Sequence, residues 1–189
     1  MDRIAMTDRG LSHRESAEVS LLAGGVTSEE FKTAFRNHPA GVAVITAATP
    51  EGPVALTATS VVSVSAEPPV LIFSLSALSS ATASIRAAET IVVHLLADKD
   101  LPVARLCSTS GVDRFADPMT WSPLTTGEPL FHGVESWLRC RIVDRMDAGG
   151  STVVAAQALQ ASTAGSAEIS PLVYHNRGWH HLGAHSELS

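Results

Sequence analysis

The residues best suited to chemistry lie in two short stretches rich in hydroxyls. The first runs Ala55-Leu56-Thr57-Ala58-Thr59-Ser60-Val61-Val62-Ser63-Val64-Ser65-Ala66-Glu67-Pro68-Pro69, where Ser and Thr alternate with small apolar residues before a double proline. Written as one strand through Thr57, Thr59, Val61 and Ser63, it carries small groups on both faces. A flat ring can then lie against its backbone, with amide N–H and C=O groups meeting ring heteroatoms. The plain structural alternative is a strand whose hydroxyls satisfy one another across a ladder. The second stretch, Ser76-Ala77-Leu78-Ser79-Ser80, leads into a helical pattern, where free amides and the positive end of the helix dipole favour an anion such as phosphate. Its alternative is an ordinary serine N-cap. One ligand explains both signals: a flavin mononucleotide, ring on one element and phosphate on the next.

The rest of the chain must hold these stretches in place. Residues 1–25 are polar, lack a sustained period and end in Gly24-Gly25, the pattern of a flexible N-terminal arm ahead of one domain over 26–185. Thr27-Ser28-Glu29-Glu30 has the form of a capping box, opening a short helix with Phe31, Ala34 and Phe35 on its apolar face and Pro39 and Gly41 at its end. Beyond Gly41 the period falls to two or the run becomes wholly apolar. Strands are expected over 42–47, 54–63, 70–74, 91–96, 137–144, 152–161 and 172–175, the first two joined by the turn Pro50-Glu51-Gly52-Pro53. Two short helices are expected, one after a hydroxyl N-cap at Ser79 or Ser80 and one over 101–106 capped by Asp100 with Pro102 in its first turn. The segment 108–133 reads as a long ordered loop because Phe115, Trp121 and Phe131 give it something to pack. A mainly β, closed-barrel fold with a few short helices follows.

Composition narrows the partners. With 45% hydrophobic and only 17% charged residues among 189, part of the apolar surface calls for a partner, and a homo-oligomer is expected. A net charge of −6, with 13 Lys and Arg scattered singly, leaves no basic stripe for nucleic acid. No run reaches the roughly 20 apolar residues that span a bilayer, and none has the form of a signal segment. Cys107 and Cys140 fit no metal or CxxC spacing and read as reduced and buried, which points to the cytoplasm. Cys140 alternates with Arg139 and Arg141, so it reads as core rather than nucleophile, and the two arginines as a pair on the opposite face, free for an interface or a nucleotide phosphate. His180, His181 and His185 do not share a strand face and lack an acidic partner in sequence, so no metal site is expected.

From Phe35 to Leu182 the chain resembles the flavin reductase family, whose fold is an FMN-binding split β-barrel of Greek-key type. The resemblance rests on Phe35-Arg36, the run Pro39-Ala40-Gly41-Val42-Ala43-Val44-Ile45-Thr46, and Thr57-Ala58-Thr59-Ser60 continued through Ser63-Val64-Ser65 to Pro68-Pro69. It continues in the serine-rich helix start, Asp113-Arg114-Phe115, Pro129-Leu130, Trp137-Leu138-Arg139-Cys140, and Pro171-Leu172-Val173-Tyr174-His175 with Gly178-Trp179-His180. It implies a homodimer with FMN at the interface, FAD being the alternative, and NADH or NADPH as co-substrate. A flavin-dependent monooxygenase is the implied recipient of reduced flavin. By the same resemblance Thr57, Ala58, Thr59 and Ser60 face the ring, Ser63 and Ser65 lie beside the flavin chain, and Ser79 and Ser80, with Ser76 and Thr82, hold the phosphate. Arg114 and Phe115 match an Arg-Phe pair near the cofactor.

One departure bears on mechanism. Where the family carries Gly-Asp-His-Thr, its His associated with the nicotinamide site, this chain reads Gly149-Gly150-Ser151-Thr152. Ser151 occupies the imidazole's position, and His175, His180 and His181 are the candidates to replace it. The alternatives to a reductase are a flavin-binding or storage protein without turnover, and a split barrel for deazaflavin or haem.

Overall fold

The computed structural model describes residues 25–163 and 169–188, so the expected arm lies almost wholly outside the described residues. The chain divides into two units, Met1–His38 and Pro39–Ser189, each taken by itself. In the first, helix α1 (Ser28–Arg36) starts as its sequence dictates. The Glu30 N–H donates to Thr27 Oγ1 at 3.2 Å while the Glu30 carboxylate accepts from the Thr27 N–H at 2.8 Å. Phe31 and Phe35, one turn apart, pack ring on ring at 4.6 Å.

The second unit is built on strands β1 (Ala40–Gly41), β2 (Ala43–Thr49), β3 (Gly52–Ala58), β4 (Val62–Ala66) and β5 (Pro69–Ser76), then helix α2 (Thr82–Ala87) and β6 (Thr90–Leu95). Helix α3 (Leu101–Ser108) follows, then β7 (Trp121–Pro123), β8 (Pro129–Phe131), β9 (Ser136–Ala148), β10 (Ser151–Ser162), β11 (Leu172–His175) and β12 (Gly178–His181). Seven of them form one antiparallel sheet in the order β3-β2-β6-β9-β10-β5-β4. The two edges, β3 and β4, are consecutive in the chain. The expected single strand over 54–63 is therefore two: it pairs with β2 as far as Ala58, leaves the ladder at Thr59-Ser60-Val61, and pairs with β5 from Val62. By changing partners there, one run of chain spans the seam of the rolled sheet. Ser60 fastens the crossing, its Oγ accepting from the Ser74 N–H at 2.9 Å.

Strand β2 is buried on both faces, as its unbroken apolar run requires. Ala43, Ile45 and Ala47 face the barrel interior with Leu56, Phe73, Leu75, Ile91, Val93, Cys140, Val154 and, from α2, Ile85. Val44 turns the other way, into a second core with Ala55, Leu96, Ala104, Cys107, Phe131 and Leu172, flanked by Phe115, Trp121, Tyr174 and Trp179. The aromatic-bearing segment expected as a long loop thus carries a small β7–β8 hairpin over the outer face, with Phe115 stacked on Phe131 at 5.4 Å. A third sheet, β1-β11-β12, adds a strand that the sequence reading left out, β12. Its hairpin turns at Asn176 and Arg177, both with positive φ (47° and 63°), as a two-residue turn between twisted strands demands.

Two buried polar groups tie these layers together. His94 on β6 accepts the Phe131 N–H at Nε2 (3.2 Å), which leaves Nδ1 protonated to donate to the Val44 carbonyl at 3.1 Å. Burial pushes its pKa down to about 4. Glu128, 2% exposed, takes the Arg139 Nε–H at 2.8 Å and a hydrogen bond from Thr126 Oγ1. Burial alone would raise its carboxyl, but bonds from Thr126 and Thr90 and the Arg139 charge outweigh that and hold it below the usual carboxylate range. Arg139 and Arg141 are therefore no free pair: Arg139 is half-buried against Glu128 and Arg141 alone is exposed. Cys107 and Cys140 are buried and unbridged, their thiols pushed up to about 12 by burial.

Candidate functional site

The seam is where the two hydroxyl-rich stretches meet. Thr59, Ser60 and Val61 lie outside both ladders, and among the described residues their amides and carbonyls enter no backbone hydrogen bond. The side chains are less free: Thr57 Oγ1 donates to the Ala104 carbonyl at 2.7 Å and Ser60 is spent on Ser74, while Thr59 is exposed. The seam thus offers backbone groups, not hydroxyls, to a ring laid along it, and the two Thr and Ser side chains fix the strand that does so. Ser63 and Ser65 follow on edge strand β4, where a register shift between them throws Val64 outward.

Ser79 and Ser80 are not helix caps. They form turns ahead of α2, whose N-cap is Ala81 with no side-chain bond; the Ser76 carbonyl accepts from Thr82 Oγ1 at 2.6 Å and from the Ser79 N–H at 3.1 Å, and the Ser79 carbonyl accepts the Thr82 N–H at 3.1 Å. Asp100 stands at the N-cap position of α3, as expected, but its carboxylate accepts the Ala97 N–H at 2.9 Å rather than a helix amide. The two serines also part company. Ser80 lines a cavity of about 210 Å³ with Arg114, Phe115 and residues 53–55 of β3. Ser79 lines a groove of about 710 Å³ with Thr82, Arg86 and Arg145 on the other side of the same turn.

In the Ser80 cavity Arg114 is anchored through Nε to the Cys107 carbonyl (3.2 Å) and through Nη2 to the Thr109 carbonyl (3.1 Å) at the end of α3. Its remaining donors and its charge stay beside Ser80. Asp113 turns its carboxylate onto the Phe115 N–H at 2.9 Å. Thr57 lies on the same face of β3 as Ala55, two residues on, so one strand carries the cavity at its start and the seam at its end. A ring on the seam amides and a phosphate beside Ser80 and Arg114 fit this stretch of β3.

Ser151 starts β10 immediately after the Gly149-Gly150 turn and pairs with Ser76, and Gly150 accepts the Ala77 N–H at 3.0 Å. The imidazole's position in the sequence motif therefore lies at the serine turn, with a hydroxyl there instead. His175 and His180 sit on the separate β11–β12 hairpin, their rings 5.7 Å apart and His180 Nε2 at 3.3 Å from the His175 carbonyl. The structure does not bring them to Ser151's hairpin. Three residues that carried no role in the sequence reading are drawn in: Arg86, Arg145 and Asp147. Arg86 had been one residue of an expected helix, and the other two meet it only through the fold. Among the described residues no cluster of three or more His, Cys, Asp or Glu is arranged to hold a metal, and no helix is long and apolar enough to cross a membrane.

Comparison with known proteins agrees with this geometry. The model of the flavin reductase like domain matches residues 35–183. An NADH:FMN oxidoreductase of Rhodococcus qingshengii is 37% identical over 163 residues, 85% of either chain. The reductase component of a flavin-dependent trigonelline monooxygenase from Acinetobacter baylyi is 30% identical over 74% of this chain and 45% of its own. Among solved structures, a flavin reductase domain protein from Arthrobacter sp. FB24 superposes with a TM-score of 0.77 at 29% identity, covering 83% of this chain and 96% of the other. With the family model matched over most of its length and a relative 37% identical over 85% of it, this chain belongs to the flavin reductase family.

Proposed function

We propose that this protein is an NADH:FMN oxidoreductase, an enzyme that uses NADH to reduce a flavin bound along the β3–β4 seam. The observation that carries the reading is that seam: the backbone groups of Thr59-Ser60-Val61 lie outside both ladders at one end of β3, and the other end of the strand lines the Ser80 and Arg114 cavity. FMN, when bound, would supply the hydride chemistry. The chain's part is to bind and orient. The seam amides donate to ring carbonyl oxygens, where negative charge gathers on reduction. Thr57 and Ser60 hold the two strands rigid through Ala104 and Ser74. Arg114 and Ser80 take the phosphate. Ser151 contributes a hydroxyl where the family motif carries imidazole, so the nicotinamide is placed by shape and stacking, with no imidazole from the β10 hairpin. His175 and His180, on their own hairpin, take no part in that placement.

The unit 26–185 acts as a homodimer. Edge strand β4 leaves Val62 and Val64 exposed, and β9 does the same with Val143 and Met146; a second copy would cover apolar edges that a monomer leaves open. Reduced flavin passes to a monooxygenase, in keeping with the reductase component among the relatives.

Anaerobic mixing of the protein and FMN with NADH, then NADPH, tests the activity. Rapid loss of flavin colour with NADH is the expected result. A yellow complex that stays yellow with both donors would favour the storage reading, which Ser151 in place of the imidazole would then explain. Ser80→Asp, which sets a carboxylate against the phosphate, is expected to raise the FMN dissociation constant about tenfold or more while the far-ultraviolet dichroism stays unchanged. An unchanged constant would move the phosphate away from Ser80.

A further inference from the structure

The groove on the Ser79 side of the turn is built differently from the Ser80 cavity. It is a wide, open groove of about 710 Å³, whereas the space beside Ser80 is about 210 Å³. Two guanidinium groups stand on it. Arg145 is aimed by the end of α2, its Nε–H donating to the Arg86 carbonyl at 2.6 Å and its Nη2–H to the Ala88 carbonyl at 2.8 Å. The rest of its planar fork is left over for an acceptor. Arg86 lies beside Asp147 at 3.2 Å, and Asp147 is in turn bonded by Thr152 Oγ1 at 3.2 Å. Two positive charges therefore face one negative charge. Thr82 has given its hydrogen to the Ser76 carbonyl, but the Ser79 hydroxyl donates to no partner among the described residues. Every group with a donor to spare points to an anion with several oxygens.

We propose that this groove is a second phosphate subsite, taking the adenylate end of a dinucleotide through Arg86, Arg145 and Ser79. The inference rests on the reductase reading, which places the FMN phosphate on the Ser80 side of the turn. Adjacent serines then serve two nucleotides, or the two halves of one, from opposite sides. NADH and FAD share this chemistry, each carrying adenosine through a diphosphate. Asp147 tunes the subsite by holding Arg86 when no phosphate is present and yielding it when one arrives.

Calorimetric titration of AMP into the full chain tests the subsite without turnover, in wild type, Arg86→Ala, Arg86→Lys and Asp147→Asn. AMP is expected to bind the wild type, to bind Arg86→Ala about tenfold more weakly, to recover most of that in Arg86→Lys, and to bind Asp147→Asn more tightly. The FMN dissociation constant, read by flavin fluorescence, should stay within about twofold throughout. The KM for NADH and the dissociation constant for FAD, measured in the same variants, name the source: a rise in the first alone assigns the reductant, a rise in the second alone assigns an extended flavin. Absence of AMP binding in the wild type at millimolar concentration would overturn the proposal. So would AMP affinity indifferent to Arg86, a loss of FMN as large as that of AMP, or AMP sensitivity with neither dinucleotide affected. A protein that fails to oxidise NADH yet binds AMP through Arg86 would remove the reductase reading and leave the subsite standing.

Discussion

Replacing Arg139 by Met is expected to cost about 3–5 kcal/mol of folding stability, because it leaves the Glu128 carboxylate buried without its counter-charge. Against the roughly 5–15 kcal/mol that holds an ordinary domain together, this is among the most damaging single changes open to the chain. The cause is geometric. Arg139 lies near the start of β9, between Val92 of β6 and Gln160 of β10, and reaches the one carboxylate carried down by the β7–β8 hairpin. With the cation gone, Glu128 keeps its other hydrogen bonds but loses the charge that helps offset burial, and its pKa must rise. The double variant Arg139→Met with Glu128→Gln removes both charges and should recover most of the loss. Urea unfolding of the two single variants and the double gives the coupling directly; a single Arg139→Met variant within about 1 kcal/mol of wild type would show that the pair contributes no more than an exposed one.

Acid is expected to weaken the fold well above the carboxylate range, and His94 is the reason. Its folded pKa of about 4 lies below the 6.5 of a free imidazole. The unfolded chain therefore binds the extra proton first, and stability falls as pH drops from 6.5 toward 4, being complete only above 6.5. At about 1.36 kcal/mol per pKa unit the loss approaches about 3 kcal/mol once pH reaches the folded value, and about 2 kcal/mol has gone by pH 5. Protonation would set a second N–H against the Phe131 N–H, which Nε2 now accepts. In His94→Gln, whose carboxamide offers one donor and one acceptor but does not titrate, the difference in unfolding free energy between pH 7.5 and pH 5 should shrink by about 2 kcal/mol. An unchanged difference would place the acid sensitivity elsewhere.

What could be read from the chain beforehand was what depended on neighbours in sequence. The Thr27 and Glu30 capping box needs four consecutive residues, and the β2–β3 turn at Pro50-Glu51 needs two; both stand where the pattern put them. The family resemblance, too, rested on motifs that survive linear reading. The seam did not show. Thr57 to Ser63 keeps its alternation straight through the break, and nothing local reveals that Ala58 pairs with β2 while Val62 pairs with β5. Ser79 and Ser80 looked like caps because hydroxyls precede a helix, but Ser76 and Thr82 close that turn first. The parting of the two serines into separate cavities is a property of the turn's shape, as is the meeting of Arg86 with Arg145 and Asp147, residues of a helix and a strand about sixty positions apart in sequence. Glu128 and Arg139 are near in number, yet only the hairpin folded over the sheet makes them partners.

The two thiols bear on how long such an enzyme can last. Reduced flavin that escapes its acceptor reacts with dioxygen and yields peroxide, so a protein that releases it works in its own oxidant. Peroxide attacks thiolate rather than thiol. With Cys107 and Cys140 held near a pKa of 12 in two separate cores, almost none of either is ionised at neutral pH. Neither can reach the other to form a bridge, and neither offers a nucleophile at the surface. The burial that serves packing in both cores thus also makes the chain resistant to a by-product of its own reaction.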